Sequence, residues 1–468
     1  MRTKISSEII IEDFSDEIWE WTTKNLIIKN PMYEQLMKLG KEDTIRYKRI
    51  PKTLNNFVVK GNKLYLPQGC LYAVWKMIKK YDFTLDYNDN GTIGITKDKI
   101  KFPLYDYQEK AVSFMKEAKG GVLVAPCGSG KTFMGIELVK RIGKKFIWLT
   151  HTKDLLNQAY NDFKLLYPNV DLGQITQGVY SVGRDGAICT IQTLATLDSD
   201  LYKNDFDIVI CDECSHVNGS PTLSKMFYKC LKNIKARYKY GLTATPSRSD
   251  TMIETMYAML GLSRKGKFEP TYIIERENVK TIECNHVLVP MFENERQPFS
   301  VVNGDGTINY MKLMDYVSNL PKRDDIILNN IEKCFKEGRK QVVLCSRVEH
   351  CERINKNLLN RDIKSELVIG KVSSKKRKEV LENPQNWDVI VATYSLLKEG
   401  VSINELDTLH LTTPQSDDAL IVQCVGRIER YIDNKKQPIA YDYVDMNINY
   451  CINRFNKRKK AIKRRKQK

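Results

Sequence analysis

The chain holds 468 residues, with 75 Lys+Arg against 57 Asp+Glu and a formal net charge of +18. A 42% hydrophobic fraction excludes a mostly disordered chain, the length predicts about three domains, and no apolar run reaches the ~18 residues of a membrane span. The opening MRTKISSEIIIEDFSDEIW turns acidic where a signal peptide needs a longer apolar core. The 12 cysteines are scattered, some inside strand-like runs, which predicts reduced thiols in a cytoplasmic setting rather than a disulfide framework.

Residues 1–100 read as a small α+β unit. FVVKGNKLYLP (57–67) predicts a hairpin around Gly61-Asn62, and FTLDYNDNGTIGIT (83–96) a second one around Asn90-Gly91. Between them CLYAVWKMIKKY (70–81) has helical apolar periodicity. From about residue 104 short apolar strands alternate with helical segments: 121–126, 145–150, 187–192, 206–213 and 238–245. A second series follows at 341–346, 388–395, 409–414 and 438–445. Near-continuous apolar runs predict strands buried on both faces, hence parallel sheets covered by helices. The boundaries expected are 1–100, 101–280, 281–453 and a basic tail, 454–468.

Charge is unevenly placed. Residues 454–468 carry ten Lys/Arg and no acid, and Thr44–Tyr81 carry nine basic residues and no acid. Such asymmetry favours a polyanionic partner, nucleic acid before membrane. The second stretch also interleaves Tyr47, Phe57, Tyr65, Tyr72 and Trp75. Aromatics there could stack on exposed bases, although Tyr65 and Trp75 sit in apolar-periodic segments and are expected in the core.

Three motifs carry chemistry. Ala125-Pro126-Cys127-Gly128-Ser129-Gly130-Lys131-Thr132 follows a strand and opens a helix. Its glycines let backbone N–H groups converge on phosphates. Lys131 supplies a charge, and Thr132 a hydroxyl for Mg²⁺. Asp212-Glu213 ends a strand, where Asp212 can hold Mg²⁺ through water and Glu213 can orient the attacking water. Gln423-Cys-Val-Gly-Arg427-Ile-Glu-Arg430 sets two arginines three residues apart, expected on one helix face and suited to a γ-phosphate. Cys211 and Cys214 form a C-x-x-C without a second pair at zinc spacing and read as structural.

With these motifs in order, the chain resembles the superfamily 2 helicases and translocases, most closely the branch of xeroderma-type repair helicases and phage branch-migration helicases. Gln108 matches the family's adenine-reading glutamine. Thr150–Gln158 and Thr190–Thr193 match its nucleic-acid-contact motifs, Gly241–Arg248 its motif III, Val343–Arg347 its motif IV, and Ala392–Gly400 its motif V. The resemblance implies an α/β fold of two tandem RecA-like domains behind a small α+β substrate-recognition domain. It implies an ATP hydrolase with ATP and Mg²⁺ as cofactors.

Carried over residue by residue, the resemblance assigns catalysis to Lys131, Asp212, Glu213, Gln423, Arg427 and Arg430. It assigns nucleotide binding to Gln108, Ala125–Thr132 and Gly400, and the metal to Thr132 and Asp212. Nucleic-acid contacts fall on Thr150, Thr152, Gln192, Thr193, Arg347 and Thr393; coupling falls on Ser215, His216, Thr243 and Thr245. Two departures stand out. Ser215 occupies a position that is commonly His, and Ser402 one that is often acidic. The implied activity is ATP-dependent unwinding of branched or partly single-stranded DNA, by a monomer without membrane contact in a bacterial or phage-infected cytoplasm. An RNA helicase, a restriction-system motor subunit and a non-catalytic nucleic-acid-binding protein are the alternatives.

Overall fold

All nine strands read from apolar runs beyond residue 104 are present, each within three residues of its expected bounds. The computed structural model describes every residue except 99, 127, 216–220, 245–252, 276–281, 293–297, 395–402, 404, 416–417, 433 and 467–468. The chain divides into two compact units, Met1–Asn278 and Val279–Lys468.

The first unit begins with β1 (Arg2–Ile5), β2 (Glu8–Glu12), β3 (Val58–Lys60), β4 (Lys63–Pro67) and β5 (Asp82–Leu85), in sheet order β3-β4-β2-β1-β5. EIIIE alternates in burial along β2, so one face of the sheet is core and the other meets solvent. The β3–β4 hairpin turns at Gly61-Asn62 as expected. Helix α1 (Asp16–Leu26), capped by Ser15, and helix α2 (Leu71–Ile78) cover the apolar face through Ile18, Val74 and Ile78.

The second predicted hairpin does not form. β5 pairs in parallel with β1, Thr3 opposite Phe83 and Ile5 opposite Leu85. The following residues leave the small domain. They strap across the amino-terminal edge of a second, eight-stranded sheet, whose strands are β6 (Gly120–Val124), β7 (Phe146–Thr150), β8 (Leu172–Thr176), β9 (Val179–Tyr180), β10 (Gly186–Thr190), β11 (Ile208–Cys211), β12 (Tyr238–Thr243) and β13 (Tyr272–Ile273). Its order is β9-β8-β10-β7-β11-β12-β6-β13, and only the β8–β9 pair is antiparallel.

Asn88 donates to the Lys203 and Phe206 carbonyls at 3.0 and 2.9 Å, just before β11. The Asn90 amide nitrogens reach Asp207. The Ile93 N–H donates to Gly143 O at 3.1 Å, ahead of β7. The Gly94 N–H meets Asp185 Oδ1 at 2.5 Å, ahead of β10. Asparagine and aspartate side chains, with one backbone amide, thus bond to the ends of three strands, and the local turn signal is overridden by this longer-range set.

The small domain also packs on the helix Ile253–Leu260. Ala258 belongs to its core, and a Cβ on Gly69 would lie 2.3 Å from Ala258 O, so only glycine permits that approach. Gln68 donates to the Ala236 and Arg237 carbonyls. Residues 1–100 therefore share one compact unit with the phosphate loop, and removing them would bare a packed layer.

The second unit holds β14 (Asn285–Met291), β15 (Gln341–Cys345), β16 (Ser365–Val368), β17 (Val389–Thr393), β18 (Thr408–Leu411) and β19 (Ile439–Asp445), all parallel in the order β14-β19-β18-β15-β17-β16. The basic segment 454–468 is not a separate tail: through Lys466 it continues the helix Asn449–Lys466. Arg458, fully buried, makes a bidentate pair with Asp442 on β19 at 2.6 and 2.8 Å. Ile462 is buried below it, while Lys457, Lys459 and Lys460 face solvent.

Burial raises the Asp442 carboxyl, but His286 and Arg458 outweigh it and hold the group below its ordinary value. The stabilisation from this group is thus complete above the ordinary carboxylate range and lost only as pH falls below it. Arg458→Met should cost about 3–5 kcal/mol, because it strands a buried carboxylate. Deleting 463–468, which removes five Lys/Arg, should leave melting unchanged but flatten the salt dependence of nucleic-acid binding. Denaturant unfolding and a salt series check both; an Arg458 variant as stable as the parent would refute the lock.

Among the described residues, no helix is long and apolar enough to cross a membrane.

Candidate active site

The carboxyl edge of the eight-stranded sheet gathers the first unit's candidate residues. β6 runs through Ala125 and Pro126 into the glycine loop, which opens helix α4 (Lys131–Ile142). Gly128 and Gly130 have φ of 84° and 80°, left-handed values that favour glycine. Gly130 is also constrained by space: a Cβ there would meet Gln108 Nε2 at 2.4 Å.

Gln108 lies in helix α3 (Asp106–Ala118) and is buried. Its Nε2 donates to Ser129 O at 2.8 Å, and its Oε1 accepts from the Tyr105 N–H at 2.9 Å. Tyr107 Oη adds a bond to the same Ser129 carbonyl at 3.1 Å. One end of the Gln108 amide therefore braces the loop against α3, while the other caps the start of α3. Adenine reading, the role assigned from sequence, would require these bonds to exchange. Tyr107 is a brace that sequence reasoning missed, since a tyrosine beside a motif glutamine has no spacing signature.

Lys131 Nζ lies 3.4 Å from Ala125 O and 3.9 Å from Glu213 Oε1. Asp212 and Glu213 follow β11 directly. Glu213 takes φ 48°, a left-handed value that costs a non-glycine residue about 1–3 kcal/mol and is typical of functional turns. Its N–H donates to Asp212 Oδ1 at 2.9 Å. Burial and then the neighbouring Glu213 charge push the Asp212 carboxyl up to about 7, against the pull of Lys131.

Glu213 Oε2 and Ser129 Oγ are buried without a hydrogen-bond partner among the described residues. Two adjacent carboxylates, one with an unsatisfied oxygen, call for a countercharge. An all-oxygen set with Thr132, which is half-buried at the start of α4, suits Mg²⁺. The residues thus fit the cation, which would screen the phosphate charge when bound.

The coupling position resolves one departure. Thr243, at the end of β12, donates from Oγ1 to Ser215 Oγ at 2.7 Å, and both residues are buried. Serine here makes a direct contact between the segment after Asp212-Glu213 and motif III. His216, Thr245, Cys127, Gly400 and Ser402 lie outside the described residues.

The candidate nucleic-acid residues of this unit meet at neighbouring strand ends, since Thr150 of β7 pairs with Thr190 of β10. Exposed Gln192 donates to His151 O at 2.8 Å, and Thr193 Oγ1 lies 2.9 Å from Thr190 Oγ1. Thr152 caps helix α5 (Lys153–Leu166). Thr150 departs from its assigned role: it is fully buried, with its hydroxyl directed to the Thr152 and Cys189 carbonyls at 3.1 and 3.3 Å. It shapes the turn and offers no side-chain contact.

In the second unit, Arg347 precedes the helix Val348–Leu359 and is held by Asp315 at 2.6 Å and by Met311 O at 2.9 Å. That pairing competes with a phosphate. Thr393 is half-buried at the end of β17. Gln423 and Arg427 lie one turn apart on the helix Asp418–Ile428. Arg430 does not share that helix, which ends at Ile428. Instead the intervening Glu429, buried, accepts the Cys284 N–H at 3.2 Å and, through its carbonyl, the Ile282 N–H at 3.0 Å. This pins the turn that carries Arg430 off the end of the helix bearing Arg427. Cys211 and Cys214 are fully buried thiols, raised by burial.

Residues 101–248 match the family "Type III restriction enzyme, res subunit", and residues 323–431 match "Helicase conserved C-terminal domain". The chain is a superfamily 2 helicase. This helicase is 25% identical to "Putative ATP-dependent RNA helicase L396" of Acanthamoeba polyphaga mimivirus, over 90% of its own length and 80% of the relative's. It is 23% identical to "Probable helicase D10" of Escherichia phage T5, over 95% and 90%. It is also 23% identical to the general transcription and DNA repair factor IIH helicase/translocase subunit XPB of Dictyostelium discoideum, over 80% of this chain and 46% of that one. The helicase is an enzyme that couples ATP hydrolysis to nucleic-acid unwinding.

Proposed function

We propose that this helicase acts on branched DNA, remodelling forks or junctions in replication, recombination or repair. The observation that carries the reading is where the small domain sits. Its strap binds the amino-terminal edge of the eight-stranded sheet, through Asn88, Asn90 and Gly94, while Lys131, Asp212, Gln192 and Thr193 occupy the carboxyl edge. Strands of five residues separate the two edges by about 17 Å. One compact unit thus has room for two arms of nucleic acid at opposite ends. The likeness to the DNA repair factor subunit favours DNA, the mimivirus relative's name favours RNA, and the test below separates the two.

In this reading, Gly128–Thr132 would hold the ATP phosphates, Asp212 and Thr132 would hold Mg²⁺, which would screen the phosphate charge, and Glu213 would orient the attacking water. Arg427 and Arg430 of the second unit stabilise the charge on the transferred phosphoryl group. Thr152, Gln192, Thr193 and Thr393 hold the strand's backbone, and the Thr243–Ser215 bond transmits the state of the hydrolysis site to motif III.

The test compares ATPase stimulation and unwinding on a fork, a four-way junction, a tailed duplex and an RNA duplex. Fork and junction should be unwound fastest, with DNA stimulating turnover more than RNA. Preferential RNA unwinding would overturn the reading in favour of an RNA helicase.

A further inference from the structure

Helix α2 (Leu71–Ile78) buries Val74 and Ile78 in the small domain's core, but its outer face is unusual. Tyr72, Trp75, Lys76 and Lys79 fall at i, i+3, i+4 and i+7, one continuous stripe. Tyr72 is 57% exposed and Trp75 36%. Lys79 caps the helix and Lys80 follows it in the turn, and all three lysines are exposed. Trp75 was expected in the core; the helix instead turns it outward, edge-on to Phe83 at 5.3 Å, and Phe83 is itself 40% exposed on the edge strand β5.

Among the described residues no ion pair engages Lys76, Lys79 or Lys80, and the stripe contains no acid; Asp82 begins the neighbouring strand. The face continues onto the motor. A Cβ on Gly266 would lie 3.4 Å from Ala73, so the loop carrying exposed Lys265 and Lys267 abuts the helix beside the stripe.

We propose that this aromatic–lysine face of α2, with Phe83, is a docking site for a single-stranded DNA arm, separate from the strand held at the carboxyl edge of the motor sheet. Exposed aromatic rings on a helix, followed by unpaired lysines at its carboxyl end, offer base-stacking and phosphate contacts side by side. A duplex offers phosphates but no base faces, so the rings would remain wet. Charge selects a polyanion, and the rings select unstacked bases. The proposal rests on the branched-DNA reading and names how one arm is held.

The test uses the full-length protein, a fork with two single-stranded arms and its blunt duplex counterpart, with binding measured by fluorescence anisotropy across a salt series. A triple variant, Lys76→Gln, Lys79→Gln and Lys80→Gln, should make the slope of log affinity against log salt shallower by about 2 on the fork, at about 0.7 per single-strand phosphate. Trp75→Ala should weaken fork binding about tenfold, and Trp75→Phe should restore most of it, since a ring remains to stack. Binding to the blunt duplex should change little with Trp75→Ala. Thermal melting verifies folding, and Trp75→Phe guards against a packing defect. Parental fork affinity and slope in the triple variant would overturn the site. Junction unwinding by the unaltered protein reports separately on the branched-DNA reading: its absence would sink that reading, while arm binding still judges the site.

Discussion

Lys131→Ala is expected to abolish nucleic-acid-stimulated ATP hydrolysis. The amine lies within 3.9 Å of Glu213 and 3.4 Å of the Ala125 carbonyl, inside a loop whose glycines are forced into left-handed conformations. Nothing else described in the loop carries a positive charge to the phosphates. Loss of one preorganised group aimed at developing charge typically costs about 10²–10³ in rate, and here positioning of the nucleotide is lost as well. Glu213→Gln should separate the two effects: the glutamine keeps the side chain's size, and Asp212 and Lys131 remain, so ATP binds but turns over slowly. Steady-state ATPase and equilibrium nucleotide binding on both variants decide the matter. Near-parental turnover in the Lys131 variant would remove the phosphate loop from the mechanism.

The linear order of the motifs made the candidate site legible, because the phosphate loop, Thr150, Asp212-Glu213 and Arg347 each lie at the end of a strand whose burial on both faces demands a continuous apolar run. Phe146–Thr150, Ile208–Cys211 and Gln341–Cys345 are such strands. Strands near or at sheet edges were harder to read. Leu172–Thr176 contains Gly173 and Gln174, and Asn285–Met291 pairs on one side only, with Ile439–Asp445, so neither needs that pattern. The 83–96 segment misled for a different reason. Its Asn90-Gly91 signal is local, whereas Asn88 and Asn90 are fixed by carbonyls and a carboxylate more than a hundred residues away. The orientation of Trp75 followed the same rule: periodicity marks helix α2 but does not by itself say which arc is covered. The Thr243–Ser215 contact joins two motifs through side chains whose separation in sequence carries no spacing signal. Arg430 illustrates the limit of helical arithmetic, because a three-residue spacing shares a face only while the helix lasts, and this one ends at Ile428.

That ending shapes the second large effect. Arg427→Ala and Arg430→Ala should each reduce turnover by about 10³-fold while leaving ATP affinity in the absence of nucleic acid almost unchanged. Arg427 stands one turn beyond buried Gln423, and Arg430 follows a turn locked by Glu429 onto the Ile282 and Cys284 amides. The two guanidinium groups are therefore carried on separate pieces of backbone held by one carboxylate-bearing residue. Their ground-state contribution is small if they act on charge that develops during phosphoryl transfer. In that case kcat falls, while the binding constant, dominated by the loop of the first unit, does not. If the pair works as one clamp, the double variant should be scarcely slower than either single one, because the clamp is already broken. Independent action would instead multiply the two losses. Turnover and nucleotide affinity across this four-member cycle distinguish the outcomes. Parental turnover in both single variants would take the second unit's arginines out of catalysis altogether.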